Sequence, residues 1–82
     1  MQAELSLRRA LWARMAELDM TQAQLAARMH AAGLPSPRSQ ASRLLSGATK
    51  APRLQTYLAL CRILHLSPTN LAVRAGLWSI DH

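Results

Sequence analysis

Acidic side chains are nearly missing from this 82-residue chain: Glu4, Glu17, Asp19 and Asp81 are the only four, against ten Lys and Arg. None lies within residues 20–80, where Arg28, Arg38, Arg43, Lys50, Arg53, Arg62 and Arg74 all fall. A surface built only to stay in solution mixes both signs, so one-signed charge over most of a chain points to a polyanionic partner. The same scarcity leaves no pair of carboxylates for acid–base work. With one Cys and three scattered His, the chain also offers no triad and no metal-ligand spacing, so no catalysis, metal or cofactor is expected. Cys61 alone can form no internal disulfide, in keeping with a reducing compartment, and on an apolar stripe it reads as a small buried hydrophobe rather than a nucleophile. Phe is absent, and the only aromatics are Trp12, Tyr57 and Trp78, so a core must be made of Leu, Ala and Met. No alternating Val, Ile or Thr run gives a strand a seat. No apolar run approaches the roughly 20 residues that cross a bilayer. Glu4, Arg8 and Arg9 stand where a signal peptide would be apolar, so neither membrane association nor a signal peptide is expected. The length holds one domain, 1–82.

What is present is helical. Leu7, Leu11, Met15 and Leu18 recur at spacings of four, four and three, which predicts a helix over about 6–18 with one apolar face. Trp12 sits one position off that stripe and widens it. Thr21 and Gln24 have capping-box spacing, so a second helix opens after Thr21; it buries Leu25, Ala26 and Met29 and closes at Gly33, followed by apolar Leu34. Ser36 then reads as an N-cap with Pro37 at the first position of a third helix, which Gly47 stops. Pro52 reads as the start of a fourth helix that ends at His65, with Leu54, Leu58, Cys61 and Leu64 as its core stripe and Tyr57, Leu60 and Ile63 beside them. His65, at that terminus, would complement the helix dipole. Ser67 and Pro68 repeat the start signal for a fifth helix ending at Gly76. The fold class is therefore all-α, a compact domain with a core over about 7–76 and a tail over 77–82.

The third helix has the wrong chemistry for a buried element. From 38 to 43 it carries Arg, Ser, Gln, Ala, Ser and Arg, all small or able to donate hydrogen bonds, and none acidic. Its inner side is Ala41, Leu44 and Leu45; Arg38, Ser39, Ser42 and Arg43 share the outer face. Such side chains suit the DNA major groove, where Arg pairs with guanine, Gln with adenine and Ser with either. Gln40 either reads a base or faces solvent.

These features together resemble the phage repressor and Cro-like family, also called lambda-repressor-like or XRE-type. The shared landmarks are the Thr21-Gln22 opening, Leu25-Ala26, the Ser-Arg-Leu-x-Ser-Gly run at 42–47, Pro52-Arg53-Leu54, and a Leu-rich fourth helix followed by Ser-Pro. The resemblance covers about 7–76 and implies a five-helix helix-turn-helix domain. It implies a sequence-specific regulator of transcription that binds double-stranded operator DNA in a bacterial cytoplasm, at the nucleoid, in the manner of a phage or prophage Cro or small repressor. By position it makes Arg38, Ser39, Gln40, Ser42 and Arg43 the base readers, with Arg43 leading. Gln22, Ser46, Thr49, Lys50 and Arg53 become the phosphate contacts. Two features depart from the family pattern. The connection between the second and third helices is longer than usual, and Leu45 stands where many relatives have Glu. No small-molecule effector is expected. Trp78 and Ile80 either form a homodimer contact, weak or DNA-assisted, or fold back on the domain's own core. The alternative function on the same fold is an antitoxin or other protein-interaction module.

Overall fold

A computed structural model describes residues 6–76 of the chain. Among them are five helices and no strand: α1 (Leu7–Glu17), α2 (Gln22–Ala31), α3 (Pro37–Ser46), α4 (Leu54–Ile63) and α5 (Pro68–Arg74). None is long and apolar enough to cross a membrane. The tail residues Trp78 and Ile80 lie outside the described residues.

Local chemistry sets most of the helix ends. The Ser6 hydroxyl accepts from the Arg9 amide at 3.2 Å and starts α1. At α2 both arms of the capping box are made: Thr21 Oγ1 accepts from the Gln24 amide at 3.1 Å, and the Thr21 amide donates to Gln24 Oε1 at 2.9 Å. The Ser67 hydroxyl accepts from the Asn70 amide at 3.0 Å and opens α5 behind Pro68. Three helices end in one way. After α1, α2 and α4 the chain turns left-handed at Asp19, Gly33 and His65, and the next residue's amide returns to the helix, as Leu34 does to the Met29 carbonyl at 3.1 Å. Leu34 itself is buried, pinning the connection after α2 to the core.

Two helix starts differ from expectation. Ser36 does hold the N-cap place of α3, but it is left-handed (φ 47°) and its hydroxyl caps nothing. Pro52 lies before α4 rather than in it; Arg53 is the N-cap, again with no side-chain cap bond.

The core is what the composition demands, with Leu11, Met15, Leu25, Met29, Leu44, Leu60, Leu64 and Leu71 all fully enclosed. α2 packs most extensively on α3; α1 also lies on α3, and α4 lies on α2. α5 closes the bundle against α1 and α4. α4 is rotated relative to the stripe its sequence offers. It buries Thr56, Leu60, Cys61 and Leu64, while Leu54 is 72% exposed and Leu58 38% exposed. An apolar ring around a helix leaves the choice of inner face to its neighbours, and α5 takes the Tyr57 side, with the Tyr57 hydroxyl donating to the Pro68 carbonyl. Burial also raises the Cys61 thiol's pKa, which keeps it protonated and inert.

Trp12 does not widen the α1 core stripe. It is 44% exposed, and its indole Nε1 donates to the Leu45 carbonyl in the last turn of α3 at 2.9 Å. Arg14 on the same helix spans to α4. Its Nε donates to the Leu64 carbonyl at 2.8 Å and its Nη2 to the His65 carbonyl at 3.4 Å, so the Arg14 guanidinium meets the negative end of α4.

Candidate nucleic-acid interface

α3 is held from behind and left open in front. Ala41, Leu44 and Leu45 are buried against α2 and α1, and the opposite side of the helix presents Ser39, Ser42, Arg43 and Ser46 to solvent. Arg38 is exposed at the margin nearer α2, where it shares a groove with Gln22, Ala23, Ala27 and His30. The fold thus places Arg38, Ser39, Ser42 and Arg43 together on one accessible surface.

Gln40 belongs to neither alternative its sequence position offers. It is half-buried, its Nε2 donates to the Pro35 carbonyl, and its Oε1 accepts from Thr56 Oγ1 at 3.3 Å. Both ends of the amide have partners inside the protein.

The residues expected at the phosphates fall into two places. Gln22 is exposed at the first position of α2, where the helix's unpaired amides point outward. Ser46, Thr49, Lys50 and Arg53 follow α3 through its exit loop to the start of α4. The Ser46 hydroxyl donates to the Arg43 carbonyl at 3.2 Å and accepts from the Ala48 amide at 3.4 Å, and the Thr49 amide returns to the same Arg43 carbonyl at 3.1 Å. These bonds fold the loop back along α3. A cavity of about 450 Å³ opens between α3 and this loop, with Arg43 and Arg53 at its wall, Thr49 and Ser36 beside them, and Leu44 and Leu34 beneath. Lys50 stands outside it, exposed.

No acidic side chain lies between residues 20 and 76, so nothing on α2, α3 or α4 offsets these cations. The ion pairs among the described residues sit away from them: Glu17 meets Arg14 at 2.8 Å and Arg74 at 3.5 Å. The charge carried by α2, α3, α4 and the loops between them is therefore wholly positive.

One cation near this surface escapes sequence reasoning. A Cβ placed on Gly47 would stand 3.3 Å from Cδ of Arg8, so α1 lays an arginine against the end of α3. Gly47 is left-handed, with φ 88°. Arg8 is far from α3 in sequence, and only the packing of α1 across α3 reveals the proximity. No group of three or more His, Cys, Asp or Glu able to hold a metal occurs among the described residues.

A family model described as the Cro/C1-type HTH DNA-binding domain matches residues 10–75. No curated protein and no solved structure matches the chain. The match takes in the capped α2, its connection to α3, the outward face of α3, and α4, most of the chain's length. The chain therefore belongs to the Cro/C1-type helix-turn-helix DNA-binding family.

Proposed function

We propose that this protein is a sequence-specific regulator of transcription, of the phage or prophage Cro or small-repressor kind, that reads double-stranded operator DNA by setting α3 in the major groove. The observation that carries the reading is the face of α3: two arginines and two serines exposed together, without an acid, on a helix whose other side is buried. Arg43 and Arg38 pair with guanine edges, and Ser39 and Ser42 accept or donate at whichever base lies opposite. Gln22 and the first amides of α2 take one backbone phosphate, and Ser46, Thr49, Lys50 and Arg53 take others along the exit loop. The internal bonds of Ser46 leave its oxygen committed in part, so Lys50 and Arg53 carry most of that contact.

Selection of bound sites from a random duplex pool tests the reading, followed by titration of the selected site at several salt concentrations. A defined motif should emerge, and log K should fall with log salt by roughly 0.9 per phosphate contacted. Enrichment of no motif, or an affinity indifferent to salt, would refute it.

Trp78 and Ile80 supply a homodimer contact in this proposal, weak in solution and reinforced on DNA with two half-sites. Sedimentation with and without residues 77–82 tests that contact. The second reading, an antitoxin or protein-interaction module, is favoured by the exposed Leu54 and Leu58 on α4. Loss of partner binding, with DNA binding intact, in a Leu54→Ser and Leu58→Ser variant would support it.

A further inference from the structure

Gln40 sits in the first turn of α3, between outward Ser39 and buried Ala41, yet its amide is turned inward to two other elements. One end holds the Pro35 carbonyl in the connection from α2; the other accepts from Thr56 of α4. Thr56 is the buried polar residue of the described core, only 7% exposed, and its hydroxyl donates to Gln40. The junction these two residues bridge is locally unfavourable. Ser36 is left-handed without being glycine, and α3 begins there with no side chain capping its first amides. A residue in that conformation stays there only if its surroundings hold it. Locally Ser36 has only the helical bond from the Gln40 amide to its carbonyl at 2.9 Å and buried Leu34 two residues before it, since the Ser36 hydroxyl makes no cap bond and Pro37 has no amide to give.

We propose that Gln40, backed by Thr56, is the positioning residue of the recognition surface: it fixes the left-handed Ser36 junction and so the direction in which Arg38 and Ser39 leave the start of α3. Gln40 then governs affinity for the selected site without touching a base. The DNA part of this inference rests on the operator reading above; the geometric part does not.

Gln40→Ala and Thr56→Val test it, the second keeping the core's shape while removing the hydroxyl donor. Amide hydrogen exchange is read in the free protein at residue 40, whose amide donates to the Ser36 carbonyl at 2.9 Å across the junction. Affinity is read on the selected site, on its single-base-pair variants and on random duplex. Both substitutions should speed exchange of the residue 40 amide about tenfold and weaken the selected site about three- to tenfold, the range of one lost hydrogen bond. Random duplex should bind as before, the order of base preference at every position should hold, and the double variant should be no weaker than Gln40→Ala. Unchanged exchange overturns the proposal. So does loss of preference at one base pair in Gln40→Ala alone, which would make Gln40 a direct reader. If the wild-type protein selects no motif, the operator reading fails by itself, and the exchange rates still decide whether Gln40 holds the junction.

Discussion

Replacing Arg14 by Met keeps the stem that crosses from α1 to α4 and removes the guanidinium. Three contacts go with it: Nε to the Leu64 carbonyl at 2.8 Å, Nη2 to the His65 carbonyl at 3.4 Å, and Nη1 to Glu17 at 2.8 Å. Their weights differ. The Glu17 carboxylate is open to water, so its pair contributes little. The His65 bond is long and exposed. The Leu64 carbonyl is different: it lies partly buried at the end of α4, and a charged donor on such an acceptor is worth about 1.5–3 kcal/mol. Attraction between the cation and the helix end adds a few tenths to about 1 kcal/mol. Partial rehydration of the carbonyl in the variant offsets some of this, leaving an expected loss of about 2 kcal/mol. In urea, where a small domain has a slope of about 1–2 kcal/mol per molar, the midpoint should fall by about 1–2 M. Circular dichroism at 222 nm follows it directly, because the whole domain is helical. Glu17→Gln serves as the control, since it removes the ion pair and leaves the carbonyl capped. The reasoning is wrong if Arg14→Met lies within about 0.5 kcal/mol of wild type, or if Glu17→Gln costs as much as Arg14→Met.

The remaining expectations concern one acid, one cap and two cations. Arg14 holds Glu17 below the ordinary glutamate pKa chiefly through its hydrogen bond, helped by the charge of Arg74 and opposed by some desolvation. A depressed carboxylate adds stability that is complete above the unfolded value and is lost as pH falls through the folded one. The small gap between wild type and Glu17→Gln should therefore be seen at neutral pH and close on acidification below the usual carboxylate range; a gap that persists there in urea melts would contradict the assignment. Thr21→Ala removes one arm of the capping box and should cost about 1 kcal/mol of unfolding free energy while leaving the selected DNA motif unchanged. Arg43→Ala should cost about 1–3 kcal/mol on the selected site and little on random duplex, whereas Lys50→Ala should weaken both alike and flatten the salt dependence. Fluorescence anisotropy with the two duplexes separates these outcomes.

What could be read from residues alone was whatever local chemistry decides. Thr21 and Gln24 sit three apart before an apolar run, and Ser67 precedes Pro68, so both helix starts were legible and both bonds are made. The outer face of α3 was legible too, because Ala41, Leu44 and Leu45 are the apolar residues between Pro37 and Gly47 and fix the inner face. α4 was not legible in the same way. Leu54, Tyr57, Leu58, Leu60, Cys61, Ile63 and Leu64 surround the helix, and only contact with α2 and α5 selects Leu60, Cys61 and Leu64 for burial and leaves Leu54 outside. Trp12 misled for a related reason: its indole N–H needs an acceptor, and the one it finds is the Leu45 carbonyl, 33 residues away. Gln40 has the chemistry of a base reader, and its occupation by Pro35 and Thr56 depends on a connection whose left-handed Ser36 no short-range signal announced.

The Trp12 bond to Leu45 also makes the protein its own optical reporter. An indole that is 44% exposed, with its N–H fixed to the last turn of α3, places a chromophore against the helix proposed to enter the groove. Its emission should shift when that turn is disturbed or a duplex comes near, with no dye attached. Since Trp78 is the other tryptophan in the chain, Trp78→Phe would leave a single emitter, and occupancy of α3 could then be followed in real time by stopped flow.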